Sequence, residues 1–416
     1  MFRNRLVVFA IVVASLGANA ASGSTDVVLD WNVIALKTTA AAPFNPPLET
    51  RNLAIVHAAM FDAVNSIVGN SPGYVVRLRA GAHASAQAAA VAAARVTLVT
   101  LYPEQQSMLD AAYAASLNRI PEGSARDSGV RIGEAVARRI LTVRASDGAM
   151  AAIKAEYFPG RRPGDWIPTP PASLPPLDPG WGEVRPFVLR DGSQFRPGPP
   201  PALHGKRYAR DFEEIKEIGS SMSGTRRPEQ TDLARLWIAT AAQNWNPVAR
   251  QVSIAQGLTL LQNARAFALL NLAGADAFIA AWDAKFAYNQ WRPVTAIRAA
   301  DTDGNASTAA DPAWTPLLAT PPFPDYIAGH TTYAGAAQAV LEHVFGEDPG
   351  VVITLTSPTA PGVVETYTTF KDIADGVVNA RVWGGIHWRM SSVQGRVVGE
   401  ELGRYVVKHF PGRDAK

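Results

Sequence analysis

Apolar residues recur at spacings of three and four along most of this chain, while the alternation of apolar and polar residues that marks a strand is scarce. Because the first spacing places apolar side chains on one face of a helix, it predicts an all-α fold. A helix break is expected at Gly274, between two long apolar runs. The expected helices cover residues 53–67, 82–101, 103–117, 124–145, 208–218, 231–242, 248–273, 275–287, 330–345, 366–383 and 392–409.

A proline-rich segment, residues 158–204, separates the two groups of helices and carries 13 of the 31 prolines. Proline cannot continue a helix, so this segment is expected to be irregular. It also contains Trp166, Trp181 and Phe187, which a solvated linker would not favour, and we therefore expect an ordered strap across the helices. The predicted organisation is two four-helix-bundle-like groups, at 21–157 and 205–416, joined by that strap.

The first 20 residues are typical of a secretory signal peptide. Arg3 and Arg5 precede an apolar run at 6–16 and the small-residue pattern Ala-Asn-Ala at 18–20. The run is shorter than the roughly 20 apolar residues that span a bilayer. Cleavage after Ala20 and a periplasmic or secreted location are expected.

Removing residues 1–20 lowers the formal charge from +3 to +1, so the mature chain has no overall basic field for nucleic acid. The sequence contains no cysteine, which excludes disulfides, thiolate metal sites and cysteine nucleophiles. Beyond the signal peptide, no run of membrane length is expected. Association into a homo-oligomer is left open.

Three short stretches carry the candidate chemistry, and the first joins Lys285 to Arg292. Seven residues on a helix return to nearly the same azimuth, so both cations could face one pocket. Pro293 disfavours helical geometry at Arg292 and predicts a break there. A solvated basic face at a helix end is the alternative for this stretch taken alone.

The second stretch runs from Pro324 to His330 and ends where a helix is expected to begin. Free backbone N–H groups and the positive end of the helix dipole meet at Gly329, which suits an anion. In the third stretch, Arg381 and His387 would point about 120° apart on a straight helix. The glycine pair at 384–385 allows the chain to turn so that both face inward.

Together the stretches supply three cations and two histidines, an inventory suited to a tetrahedral oxyanion. Histidine is the side chain that titrates near neutrality, so one could act as nucleophile or ligand and the other as acid or base. A divalent cation would be repelled by these charges, and no GxSxG elbow indicates a serine hydrolase. The residues alone leave the choice between phosphate and vanadate open.

The order K-x6-RP, P-x-Y-x-A-GH and R-x5-H resembles the vanadium-dependent haloperoxidase and type 2 phosphatidic-acid phosphatase superfamily, and the haloperoxidase branch in particular. The resemblance implies vanadate as cofactor, with phosphate able to occupy the same site, and hydrogen peroxide, halide and possibly an organic acceptor as small-molecule substrates. It implies catalytic roles for His330, Lys285 and His387, with His387 as the vanadium ligand and His330 as the acid or base. The oxyanion would be held by Lys285, Arg292, Ala328, Gly329, Arg381 and His387. Trp282 and Phe323 match the halide side of the pocket, and Phe323 favours a chloroperoxidase-like pocket.

Two positions depart from the superfamily pattern. Ala328 stands where most members have a serine, so one hydroxyl donor to the oxyanion is missing. Ser391 stands where many phosphatases have an aspartate four residues after the last histidine. A carboxylate that orients and strengthens the His387 imidazole is therefore not supplied locally.

The sequence therefore predicts an exported vanadium-dependent haloperoxidase that oxidises halide to hypohalous acid. The alternatives are a periplasmic acid phosphatase, in which His387 forms a phosphohistidine, and an oxyanion-binding protein that has lost turnover. Ala328 motivates the last of these.

Overall fold

The computed structural model describes residues 26–79 and 83–411, so the predicted signal peptide at 1–20 lies outside the described residues. Within them the chain is almost entirely helical, with one two-stranded antiparallel sheet, and the all-α prediction is confirmed. The first-half helices are α1 Val27–Ala40, α2 Pro46–Val68, α3 Ala86–Leu101, α4 Gln106–Leu117, α5 Ser124–Arg144 and α6 Ala149–Ile153. The second half contains α7 Lys206–Ile218, α8 Pro228–Leu236, α9 Ala241–Gln256, α10 Leu260–Tyr288, α11 Pro293–Arg298, α12 Gly329–Phe345, β1 Ile353–Ser357, β2 Ala360–Tyr367, α13 Phe370–Trp383 and α14 Arg389–His409.

Helix α10 forms the centre of the molecule. It starts at a capping box in which Thr259 and Gln262 satisfy each other's backbone N–H groups. The helix is long and apolar enough to cross a membrane, but 94% of its most apolar window is buried inside the protein. It packs against α2 of the first half and α12 of the second, so one hydrophobic core spans both halves.

The predicted break at Gly274 is wrong, because Gly274 lies in the middle of the unbroken helix α10. A Cβ atom at this position would lie 2.2 Å from Cε2 of Tyr333, so the glycine allows α12 to approach α10 closely. The break occurs instead at Gly257, whose φ of +66° ends α9 in the left-handed region that favours glycine. The residues of the predicted helix 248–273 are therefore divided between α9 and α10.

Other boundaries also differ from the predictions. Residues 353–367 form the hairpin of β1 and β2, so the helix expected from 366 begins at Phe370, where Thr369 caps it. Helix α1 was not predicted at all. The expected helix at 231–242 is divided between α8 and α9, which leave residues 237–240 as a turn.

The proline-rich segment 158–204 contains only short 3₁₀ turns, and its aromatic residues Trp166 and Trp181 are buried. The Asp276 carboxylate of α10 accepts the backbone N–H groups of Phe187, Val188 and Leu189 at 2.6, 2.8 and 3.0 Å. This part of the segment is therefore fixed to the central helix, as expected for an ordered strap. The residue boundaries of the two predicted bundles stay a prediction.

We predict that Gly274→Ala destabilises the protein, because the added methyl group would have to displace the buried Tyr333 ring. Overpacking of this kind typically costs about 1 to 3 kcal/mol. The free energy of unfolding, measured by urea titration, should fall by that amount. Gly224→Ala is the matched control, since its Cβ would meet no atom within 4 Å. Equal midpoints for the two variants would contradict the proposed packing role.

Candidate active site

The three stretches converge at the ends of helices. Lys285 lies in the last turn of α10, which ends at Asn289 in the left-handed conformation. Arg292 has extended backbone geometry, as expected for the residue before a proline, and caps α11. The helix therefore ends three residues earlier than the predicted break, and Arg292 reaches the site from the connection between α10 and α11.

Lys285 is buried, and its Nζ donates to the carbonyl oxygens of Pro324 and Asp325 at 2.8 and 2.7 Å. These bonds fix the turn that precedes α12. Burial, and then the charge of Arg292, lower the pKa of Lys285 well below its usual value. An anion beside it would offset both effects and favour the charged amine.

Arg292 is fully buried among backbone carbonyls. Its Nε donates to Phe323 O and its Nη1 to Ile386 O, each at 2.6 Å. Nη2 has no hydrogen-bond partner within the described residues. Burial lowers the pKa of this guanidinium to about 10, so it stays charged near neutrality.

Arg381 lies in the last turn of α13, and its Nη1 donates to Trp237 O at 2.6 Å. Its Nε is buried, and no acceptor in the described part of the chain reaches it. Burial, and then Arg292, lower the pKa of Arg381 to about 9. Arg292 and Arg381 thus each keep a buried N–H donor without an acceptor among the described residues. An oxyanion bound between them would supply those acceptors.

His330 lies in the first turn of α12, with Nε2 3.1 Å from the carbonyl oxygen of Ala239. A carbonyl only accepts, so this contact assigns the proton to Nε2 in the neutral ring and leaves Nδ1 as an acceptor. Burial, and then Arg381, lower the pKa of His330 well below its usual value. The free protein therefore holds a neutral imidazole here, able to take up a proton at Nδ1.

His387 is buried in the turn between α13 and α14, after Gly385 with φ of +75°. The glycine pair thus turns the chain as predicted, and His387 lines the same cavity as Arg381. Nη1 of Arg292 lies 3.1 Å from Nε2 and 3.3 Å from Nδ1, so the guanidinium contacts the ring as a whole. Burial, and then Arg292, lower the pKa of His387 well below its usual value.

The carboxylate of Asp325, which was not among the predicted site residues, faces His387. Oδ2 of the fully buried Asp325 lies 3.2 Å from Nδ1 of His387 and 3.7 Å from Nη1 of Arg292. Burial raises the pKa of Asp325 to about 6, against the opposing effect of Arg292 and Lys285. Ser391 supplies no carboxylate locally, and Asp325 brings one near the ring from a distant turn of the chain.

The only sequence signal for Asp325 is a carboxylate within the apolar turn of the second stretch, and nothing local links it to His387. Ser391, which stands where many phosphatases have an aspartate, contacts the backbone of Asp325. Its Oγ donates to the backbone oxygen of Asp325 at 3.1 Å and so holds this turn in place.

Ala328 is the N-cap of α12 and is completely buried. Its carbonyl oxygen accepts from the hydroxyls of Thr331 and Thr332, both at 2.9 Å. Its methyl side chain offers no hydrogen bond to the cap or to an anion. The first-turn N–H groups at Gly329 and His330 have no intrahelical acceptor, as in any helix, and such groups suit an anion.

The aromatic pair Trp282 and Phe323 forms one wall of the site, with ring centroids 4.8 Å apart. Trp282 donates its indole N–H to Leu177 O at 3.1 Å, so only its ring faces the cavity. The cationic groups of Lys285 and Arg292 lie 5.0 and 4.7 Å from the Phe323 ring centre. A cavity of about 330 Å³ is lined by Trp282, Phe323, Gly329, His330, Arg381 and His387, among others.

Residues 265–412 match the sequence profile of the VCPO second helical-bundle domain. The chain is 24% identical to the vanadium chloroperoxidase of Curvularia inaequalis over 492 aligned positions, which cover 90% of this chain and 80% of that protein. All three candidate stretches fall inside the matched domain.

Among solved structures, the fold resembles the first bacterial vanadium-dependent iodoperoxidase, with a TM-score of 0.82, 26% identity, and coverage of 94% of this chain and 98% of that one. A holo-type bacterial vanadium-dependent chloroperoxidase shares the fold with a TM-score of 0.70 at 19% identity, covering 90% and 96%. Sequence, domain and fold agree with the resemblance first seen in the motifs: the chain is similar to vanadium-dependent haloperoxidases along most of its length, and residues 265–412 match their second helical-bundle domain.

Proposed function

We propose that the chain is an exported vanadium-dependent haloperoxidase that uses vanadate and hydrogen peroxide to oxidise halide to hypohalous acid. The observation that carries this proposal is the set of buried, unpartnered guanidinium donors beside His387. The similarity to vanadium-dependent haloperoxidases supports vanadate as their acceptor. The pattern of residues 1–20 supports export.

In this proposal Lys285, Arg292, Gly329, Arg381 and His387 hold the vanadate, and Ala328 lines its position without a hydroxyl. His387 would bind vanadium through Nε2, because Nδ1 faces Asp325. Bound vanadate supplies the activation of hydrogen peroxide towards halide. The protein's part is to hold the anion by charge and hydrogen bonds in a site from which water is largely excluded.

His330 is suited to move the protons of the reaction. Its Nε2 is committed to Ala239 O, so Nδ1 is the atom that accepts or returns a proton. Trp282 and Phe323 would receive the halide against their ring edges, which carry partial positive charge. The relatives are named for chloride and for iodide, and the proposal does not choose between these halides.

A phosphatase is the second candidate, and the position of Asp325 supports it as well. In that reaction Nε2 of His387 would form a bond to phosphorus while the bond to the leaving oxygen breaks. His330 would give that oxygen its proton, and water would then hydrolyse the phosphohistidine. A carboxylate beside Nδ1 makes an imidazole a better nucleophile, so Ser391 in place of the aspartate no longer counts against this activity.

We predict that the vanadate-loaded wild-type protein oxidises at least one of chloride, bromide and iodide between mildly acidic and neutral pH. His387→Ala should abolish this activity, because it removes the proposed vanadium ligand. His409→Ala, at the exposed end of α14, should retain it. Halide oxidation would be measured beside hydrolysis of p-nitrophenyl phosphate by the vanadate-free protein. Inactivity with all three halides, together with hydrolysis that depends on His387, would replace the haloperoxidase by the phosphatase.

We predict that Asp325→Asn separates vanadate from phosphate in equilibrium binding. Partners of a metal-bound histidine typically change metal affinity about 10- to 100-fold, so the Kd for vanadate should rise by that factor. Phosphate, held by the cations alone, should bind at least as tightly, because a buried negative charge has been removed. Asp211→Asn, at a buried carboxylate that bonds Met390 N, is the matched control. A parallel loss of both anions would show that Asp325 merely maintains the pocket.

We predict that Ala328→Ser tightens vanadate binding by roughly 10- to 100-fold, because a hydrogen bond to a charged group contributes about 1.5 to 3 kcal/mol. Ala334→Ser, at a buried position further along α12, provides the control hydroxyl. Calorimetric titration of both variants with vanadate gives the two affinities. An unchanged affinity in Ala328→Ser would mean that the position does not face the anion.

A further inference from the structure

The connection between α10 and α11 is hydrogen-bonded along both of its edges. On one edge, residues 289–291 make two backbone hydrogen bonds with residues 164–166 of the strap, at 2.7 and 2.8 Å. On the other edge, the carbonyl oxygen of Gln290 accepts the N–H of Asp325 at 2.9 Å. The connection therefore lies between the strap and the turn that faces His387.

Both ends of this connection carry a cation of the oxyanion site. Lys285 lies one turn before Asn289, and its carbonyl oxygen accepts the Asn289 N–H at 2.8 Å. Arg292 follows the connection directly, and its Nη2 is one of the buried donors without an acceptor among the described residues. A displacement of residues 289–291 would therefore move both cations relative to the anion.

Asn289 has a backbone conformation that most side chains disfavour. Its φ of +49° and ψ of +35° lie in the left-handed region, which ends α10. Glycine is the usual residue at such a helix end, and asparagine is tolerated because its short polar side chain can form a local hydrogen bond. Here the side-chain oxygen of Asn289 accepts a hydrogen bond from the hydroxyl of Tyr157. The hydroxyl therefore holds the residue at which the chain leaves α10.

Tyr157 is itself fixed by two aromatic rings. Its ring makes edge-to-face contacts with Trp166 and Phe286, with centroids 5.5 Å apart in each pair. Trp166 belongs to the strap, and Phe286 follows Lys285 in α10. Such contacts orient a ring as well as burying it. Neither Tyr157 nor Asn289 lines the active-site cavity, so the contact between them acts on the site from outside.

We propose that Tyr157 and Asn289 are positioning residues, whose hydrogen bond keeps residue 289 in the left-handed conformation and so sets Lys285 and Arg292 for the oxyanion. The proposal rests on the proposed function only in taking a tetrahedral oxyanion as the ligand. When residue 289 leaves this conformation in the free protein, the anion binds only the fraction of molecules that retain it. The apparent Kd then rises in inverse proportion to that fraction.

The test compares two substitutions of Asn289 by calorimetric titration with vanadate. Alanine disfavours the left-handed conformation by a free energy that corresponds to roughly a fivefold to 30-fold change in an equilibrium, so Asn289→Ala should raise the Kd by about that factor. Glycine adopts the conformation readily, so Asn289→Gly should raise the Kd less than about threefold, although it removes more atoms. Asn118→Ala, at the right-handed C-cap of α4, is the matched control and should bind as wild type.

Removal of the hydroxyl tests the other half of the contact. Tyr157→Phe should raise the Kd for vanadate roughly two- to fivefold, because a single hydrogen bond is lost. The same substitution should have no further effect in the Asn289→Gly background, where the conformation needs no support. Tyr113→Phe, at a partly buried ring of α4, is the control for loss of a hydroxyl. This pair of variants decides the question even when Asn289→Ala does not fold.

Urea titration of each variant separates positioning from a purely structural role. Lower stability of Asn289→Ala and Tyr157→Phe with the wild-type Kd would overturn the proposal, and so would equal Kd values for Asn289→Ala and Asn289→Gly. Phosphate is titrated beside vanadate. If wild type binds phosphate alone and the variants keep the expected order, the positioning role stands and the haloperoxidase function falls. Binding of neither anion by wild type would overturn both.

Discussion

Three cationic side chains, Lys285, Arg292 and Arg381, are buried around a single carboxylate, that of Asp325. Removing charges from water is unfavourable unless they are paired and hydrogen-bonded, and burial lowers the pKa of all three cations. Within this cluster, cations outnumber carboxylates by two. A doubly charged oxyanion would restore the balance, so the same imbalance that opposes folding of the free protein favours binding of the anion.

Backbone carbonyl groups make this arrangement possible. Each cation donates to carbonyl oxygens in connections or turns rather than inside helices, so the chain has to leave helical geometry around the site. Asn289 ends α10 in the left-handed conformation, and Gly385 with positive φ turns the chain after α13. The points where these helices end therefore provide the carbonyl oxygens that hold the cations of the site. The accepting carbonyls are those of Trp237, Phe323, Pro324, Asp325 and Ile386.

Much of this could be predicted from the sequence, because helix periodicity, charged motifs and glycine pairs are local signals. The all-α fold and the turn at 384–385 follow from them. Gly274 and Asp325 could not be interpreted locally, because each is explained by a residue about 60 positions away in the chain. Gly274 allows Tyr333 to pack against α10, and Asp325 faces His387. Neither contact produces a repeating pattern of residues from which it could be predicted.

Asp325 supports both candidate chemistries. A carboxylate at Nδ1 of His387 strengthens Nε2 both as a metal ligand and as a nucleophile, so it does not choose between vanadate and phosphate. Arg292 bears on the choice, because its Nη1 lies 3.1 Å from Nε2. A guanidinium there lowers the basicity of that nitrogen, which weakens it both as a nucleophile and as a metal ligand. The same cation stabilises any oxyanion held beside the ring, so the charges of this site suit tight binding of the anion better than they suit a strongly nucleophilic imidazole.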